Sequence, residues 1–375
     1  MIDYCLNIPK GHPVSNVLRT ADFVRQGMLF GMCGHKKRKE NSKMKKMIYG
    51  VDLGWAGQLE NMGYRWLNEA GKETDIIAAS KELGANAVRL RVFVDPPKEA
   101  FWKKQENETC MLGFCDAKSV LKMAERVKKG GMKLMIDFHY SDHFADPVFQ
   151  DMPREWQEDN DAQLEKRVFG HTKEVLSLLA EHDIFPEWVQ VGNEINNGLM
   201  WPKGNLKEAP KQLVRFLNAG YDAVKEVCPD CQVITHLAAV MDDELCMPFW
   251  ENFFAENGKT DILGFSYYPY WEKFESDKDR LSKKLKEYTG RYHKPVMIVE
   301  VGGLDSDGEG CYKIIADCIG AMQEQDGQEE CGIFYWEPEA TASILPDAYP
   351  LGAAKLVGEK TLQYNKALRA YRDCQ

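Results

Sequence analysis

Eight short runs rich in Val, Ile, Leu and Phe recur along this chain, at 48–53, 87–94, 133–139, 187–194, 231–236, 262–268, 295–301 and 332–336. Between them lie loops and amphipathic stretches. The segment 117–129 sets Val120, Ala124 and Val127 on one helical face and stops at Gly130-Gly131. The segment 212–225 has the same character despite an internal Gly220. Strand–helix alternation repeated eight times predicts an α/β fold, a single closed parallel (β/α)8 TIM barrel. An open doubly wound sheet would usually carry a Gly-rich phosphate loop after an early strand, and none follows Leu53 or Val94. No Pro/Ser/Gly linker interrupts residues 47–375, so they read as one domain. The longest loops are expected at 140–160 and 337–358, on the face where a barrel builds its binding groove.

Charge narrows the partners. The net charge of −10 argues against nucleic acid or another polyanion. Residues 1–46 run the other way, with ten Lys/Arg against three Asp/Glu, a local +7 against −17 for the remainder. This stretch reads as a solvated basic leader, or as a start-site artefact if translation begins at Met44 or Met47. No signal-peptide pattern precedes the first strand, and no apolar run reaches the length of a membrane span. Eleven cysteines are scattered from Cys5 to Cys374, and Cys228-Pro-Asp-Cys231 is a lone CxxC that reads as a turn rather than a zinc knuckle. Free thiols and the missing signal make a cytoplasmic location the expectation, or an extracellular one if the native N-terminus differs. No feature specifies an oligomeric state.

Parallel strands bring all eight C-terminal ends to one face. Reading those ends in order gives Asp52, Arg89 with Arg91, His139, Glu194, His236, Tyr268, Glu300 and Trp336. An apolar run that ends in a bare carboxylate is a poor way to build a core, and Glu194 and Glu300 both end such runs. Two acids across one cleft are the minimum equipment for cleaving a glycosidic bond. One must stay protonated to serve the leaving oxygen; the other must stay ionised, which a guanidinium such as Arg89 favours. Asn193 can donate to a sugar hydroxyl, and Trp336 offers a flat face for a sugar ring. Metal-dependent barrel hydrolases usually show His-x-His after the first strand, where this chain has Val51-Asp-Leu53, so no metal is expected.

Five segments, in order, resemble the arabinogalactan endo-β-1,4-galactanases of glycoside hydrolase family 53. They are 88–96 (VRLRVFVDP), 137–147 (DFHYSDHFADP), 190–202 (QVGNEINNGLMWP), 264–270 (GFSYYPY) and 334–338 (FYWEP). The resemblance implies a retaining clan A endo-glycosidase acting on galactan, arabinogalactan I or galacto-oligosaccharides. It implies Glu194 as general acid/base and Glu300 as nucleophile, with Arg89 beside the nucleophile, Asn193 on the sugar 2-hydroxyl, Tyr268 orienting Glu300 and Trp336 flooring the subsite. His139, Asp142 and His236 are carried over as substrate-site residues. Departures fall in the groove lining: Phe144 stands where many members have Trp, and Glu339-Ala340, Val301-Gly-Gly303 and Leu53-Gly54-Trp55 differ from the usual residues. Some bacterial relatives bind calcium after strand eight, and no convincing oxygen-ligand set is present there. The rival expectations are a different clan A specificity (mannan, xylan or glucan) and a barrel that binds sugar without cutting it.

Overall fold

The computed structural model describes residues 46–97, 101–102, 110–111, 114–328, 330–345 and 349–375. The basic leader expected over 1–46 lies outside the described residues apart from Lys46. Residues Lys45–Gln375 form one compact unit. Its frame is eight strands: β1 (Lys46–Asp52), β2 (Ala87–Val92), β3 (Lys133–Phe138), β4 (Trp188–Val191), β5 (Gln232–Leu237), β6 (Ile262–Tyr267), β7 (Val296–Val301) and β8 (Glu330–Tyr335). Each pairs in parallel with its sequence neighbours, and β8 returns to β1, which closes the barrel. The expected (β/α)8 architecture is the one observed.

Main helices follow the strands on the outside: α1 (Ile76–Glu82), α2 (Ala117–Gly130), α3 (Asp161–Glu181), α4 (Pro210–Val227), α5 (Asp243–Ala255), α6 (Lys278–Tyr292), α7 (Gly308–Gln323) and the short α8 (Ala370–Asp373). Local chemistry sets their ends. Asp116 accepts from the backbone N–H groups of Lys118 and Ser119 at the start of α2, and Gly131 ends it at φ +66°, a conformation glycine adopts without a Cβ penalty. The predicted face, Val120, Ala124 and Val127, is buried together with Met123. Gly220 inside α4 has a packing reason: a Cβ there would lie 2.6 Å from Val191 Cγ1 and 2.8 Å from the Tyr140 hydroxyl. Among the described residues no helix is long and apolar enough to cross a membrane.

The period-2 alternation of strands divides the core in two. Outward residues such as Val88, Leu90, Ile136 and Val189 pack under the helices. Ile48, Ala87, Met135, Trp188, Ile234, Ile262, Met297, Val299 and Phe334 form a separate plug inside the barrel. Nearer the C-terminal ends of the strands the inward positions turn polar, yet Asp52, Arg89, Asp137, Gln190, His236 and Ser266 are all buried. Strict alternation after Met297 and Val299 would send Glu300 outward with Ile298. The pairing shifts register between Phe265 and Ser266 and again between Ile298 and Val301, as a bulge does, and Glu300 arrives at the mouth instead.

Three details depart from the sequence reading. The expected loop at 337–358 ends in a strand, Ala354–Gly358, which hairpins with Thr361–Tyr364 and joins Arg65–Leu67 and Glu73–Thr74 in a small four-stranded sheet. β2 ends at Val92 and α2 begins only at Ala117, and a short antiparallel strand pair, Phe101–Trp102 with Cys110–Met111, stands between them. Cys228 and Cys231 were expected to be free thiols in a turn; the turn from α4 into β5 brings their Cα atoms to 5.4 Å and they form a disulfide.

Candidate active site

Arg89 is the hub of the mouth. Its side chain is fully buried on β2, which would be costly for an unpaired cation. Its Nη1 donates to Asp52 Oδ2 (3.0 Å) and its Nη2 to Asp137 Oδ2 (2.8 Å) and Asn193 Oδ1 (2.9 Å). Glu300 Oε1 lies at ion-pair distance, 2.9 Å, from the same nitrogen, though out of line for a hydrogen bond. Burial alone would lower the arginine's pKa; Asp137, Glu300 and Asp52 outweigh it, and the guanidinium stays charged.

Glu194 follows Gly192-Asn193 at the end of β4 and has φ +47°, a left-handed conformation uncommon outside glycine. Such local strain persists where the surroundings over-determine it. Its side chain is half-buried, and Oε1 accepts from the Ser266 hydroxyl at 2.6 Å. Glu300 Oε2 accepts from the Tyr268 hydroxyl at 3.1 Å. One oxygen of Glu194, one oxygen of Glu300 and a ring nitrogen of His236 lie within 4.8 Å of one another.

Electrostatics separates the two acids. Burial pushes the Glu194 carboxyl well above the usual range, and repulsion from Glu300 adds to it. Burial also raises Glu300, to about 7, but Arg89 and the Tyr268 hydroxyl hold it back. The arginine lies beside Glu300, so the pair's proton resides on Glu194. One acid near one base is the division of labour that glycoside cleavage requires.

The two histidines are bound into the scaffold. His139 Nδ1 accepts from the Ala145 backbone N–H (2.9 Å) and Nε2 donates to Asp137 Oδ2 (3.0 Å), which fixes a neutral ring. His236 is fully buried, with Nδ1 among Asn193, Gln190 and Glu194 and Nε2 on Ser266. The spacing of Glu194, His236 and Glu300 would suit a metal ion, but both imidazole nitrogens already have partners. Asp142 accepts from the backbone N–H groups of Asp95 (3.0 Å) and Arg154 (2.9 Å), one on each oxygen, and so ties two loops together. Trp336 is half-buried between Phe144 and Tyr349, with ring centroids at 6.4 and 4.5 Å. Asn193 Nδ2 donates to Ala145 O at 2.8 Å, which orients the amide.

A second buried cluster adjoins the first. Arg91, next on the same face of β2, pairs with Glu337 Oε1 at 2.5 Å and with Asp52 Oδ1 at 3.6 Å, so Asp52 bridges the two arginines. Its guanidinium sits over Trp55 and Phe144, at 5.0 and 4.6 Å from the ring centres. Glu339 Oε1 accepts from the Trp55 backbone N–H at 2.9 Å.

Sequence reasoning did not single out Asp137, Gln190, Ser266 or Glu337. Each of the first three is a polar residue at an inward position of an otherwise apolar strand, and that interruption is the signal by which they could have been found. Glu337 carries a weaker signal, an acid directly after a strand end and before Pro338.

Known proteins share this arrangement of chain. The model of Glycosyl hydrolase family 53 matches residues 48–371. The arabinogalactan endo-beta-1,4-galactanase of Cellvibrio japonicus is 33% identical over 261 residues, 67% of this chain and 64% of that one. The probable arabinogalactan endo-beta-1,4-galactanase A of Aspergillus terreus is 29% identical over 314 residues, 78% of this chain and 85% of that one. The structure of the Ignisphaera aggregans GH53 catalytic domain superposes with a TM-score of 0.75 at 28% identity, covering 87% of this chain and 95% of that one. With a match that runs from the first strand to the last helix, this chain belongs to glycosyl hydrolase family 53.

Proposed function

We propose that this protein hydrolyses β-1,4-galactosidic bonds inside galactan or derived oligosaccharides, with retention of anomeric configuration. The single observation that carries the chemistry is the approach of the two carboxylates, with one oxygen of each within 4.8 Å. Retaining enzymes hold their carboxyl groups about 5–5.5 Å apart, whereas inverting ones leave about 6.5–9.5 Å for a water. The relatives named as arabinogalactan endo-beta-1,4-galactanases support the galactan part.

In this reading ionised Glu300 attacks the anomeric carbon while Glu194 gives its proton to the departing oxygen. A covalent galactosyl ester on Glu300 forms as the glycosidic bond breaks. Glu194, now a carboxylate, takes a proton from water, whose oxygen attacks the ester and restores both groups. Arg89 keeps Glu300 ionised, and Tyr268 aims it. Trp336 with Tyr349 would give the sugar an apolar floor.

Proton NMR of the first anomer released from linear β-1,4-galactan tests the proposal. The β-anomer is expected first; an initial α-anomer would exclude double displacement, and release from mannan, xylan or glucan with none from galactan would overturn the substrate. Activity is expected to survive exhaustive chelation, because neither His236 nitrogen is free to ligate. Loss of turnover in chelator, restored by calcium or zinc, would contradict that.

A further inference from the structure

We propose that Ser266, held by His236, is a positioning residue that decides which oxygen of Glu194 carries the transferable proton. The inference rests on Glu194 being the acid/base group, as proposed above, and adds a residue that this role requires.

Donor and acceptor counting leads to it. The Glu194 backbone N–H, which can only donate, is directed at His236 Nδ1 from 3.4 Å and makes Nδ1 an acceptor. Asn193 Oδ1, 3.0 Å from Nδ1, already receives a hydrogen from Arg89 Nη2. Burial and the nearby Arg89 hold the His236 imidazole well below its usual pKa, so it is neutral with one N–H. That hydrogen is on Nε2 and points at Ser266 Oγ, 2.8 Å away.

A serine hydroxyl that accepts at its oxygen has one hydrogen left to give. Glu194 Oε1 is 2.6 Å from it, and the hydrogen goes there. Oε1 is thereby an acceptor in both protonation states of Glu194. The acid's own proton is confined to Oε2, leaves from Oε2 as the glycosidic bond breaks, and returns there from water. Ser266 and His236 transfer nothing; they hold one oxygen so that the other does the work.

The same hydroxyl affects how tightly the proton is held. Glu300 from β7 and Asp146 from the loop after β3 raise the affinity of Glu194, in addition to burial. Arg89 from β2 and the Ser266 hydroxyl from β6 lower it, while neutral His236 and the Tyr268 phenol complete the surroundings. Removing the hydroxyl therefore raises the pH at which Glu194 ionises.

The test compares Ser266→Ala and Ser266→Thr with wild type in the full-length chain. The substrates are linear β-1,4-galactan and an aryl β-galactoside whose phenolate leaves without a proton. Ser266→Ala is expected to lower kcat on galactan roughly 10- to 100-fold with little change in KM, and to move the alkaline limb to higher pH. The aryl substrate should form the covalent ester at a near-normal rate, and Ser266→Thr should restore much of the galactan rate. An Ala variant with wild-type kcat and an unmoved alkaline limb would overturn the inference, as would equal losses on both substrates.

Neutron diffraction of the wild-type protein keeps the question decidable if the Ala variant does not fold. Deuterium on His236 Nε2, and on Ser266 directed at Glu194, is expected; deuterium on Nδ1 instead would refute the assignment. A wild type that cuts no polysaccharide, with those deuterium positions present, would sink the functional reading and leave the hydrogen-bond assignment intact.

Discussion

Two arginines two residues apart on β2 each neutralise buried carboxylates, and the contrast between their surroundings separates chemistry from architecture. Arg89 faces Asp52, Asp137 and Glu300 and looks toward half-buried Glu194. Arg91 faces Asp52 and Glu337 and is closed over by Trp55 and Phe144. In both clusters burial drives acids upward: Glu300 to about 7, Glu339 to about 8, and Glu194 and Glu337 well above the usual carboxylate range. A perturbed acid is thus no proof of catalysis, since structural ion pairs perturb acids as well. What distinguishes the first cluster is a pair of acids that face each other, one beside an arginine and the other on a serine hydroxyl, at the open end of the barrel.

Removing Glu300 is the hardest blow to that distinction. Glu300→Ala should lower kcat on the order of 10⁴-fold or more while leaving the fold intact. Steady-state rates together with circular dichroism would check this, and a variant that retains a tenth of the activity would break the comparison. Arg89→Lys keeps the charge but not the planar reach to several oxygens, so a loss of about 100-fold is expected. The wild-type acid limb belongs to Glu300: kcat/KM should climb as pH rises through about 7. A limb near the ordinary carboxylate value would mean that Glu300 is less shielded from water than its burial implies.

The second cluster should respond in stability instead. Arg91→Met leaves Glu337 buried without its cation, and urea unfolding should show a loss of about 3 kcal/mol. Activity per folded molecule should fall less than about tenfold, because Arg91 reaches the first cluster through Asp52 and Phe144 and not through either of the two paired acids. A collapse of kcat with unchanged stability would reverse the two assignments. Glu339→Gln is the smallest change. The folded state holds a proton on Glu339 up to about pH 8, whereas the unfolded chain releases it near 4.5. Stability therefore falls as pH rises between those values, and the amide removes that slope while its oxygen still accepts from the Trp55 N–H. A gain in Tm of about 2 °C is expected at alkaline pH and none near pH 4. A gain equal at both pH values would point to packing, not ionisation.

Much of the site was legible in the residues. Arg89, Asn193, Glu194, Tyr268 and Glu300 were each found at the C-terminal end of a strand, and the structure gathers them around one mouth. Ser266 was missed because its significance is a contact to Glu194 across 72 positions of chain, invisible to any local pattern. Asp142 looked like a substrate residue from its place in the loop after β3, yet its two oxygens hold the backbone of Asp95 and Arg154. The disulfide at Cys228–Cys231 was missed for a related reason: spacing shows that two thiols can meet, and only the folded turn shows that they do.

Period and composition by themselves determined the barrel, because eight apolar strands alternating with amphipathic helices have few ways to bury both faces. They also determined that polar strand ends converge, since parallel strands end on one side. Tertiary structure alone decided that Glu300 turns inward, through register shifts against β6 and β8 that strict alternation does not contain. It alone decided that residues 361–364 add to a sheet begun near residue 65. Local sequence sets which face a side chain takes along an ideal strand, whereas bulges and distant pairings are settled by packing between elements, and the chemistry of the site depends on those.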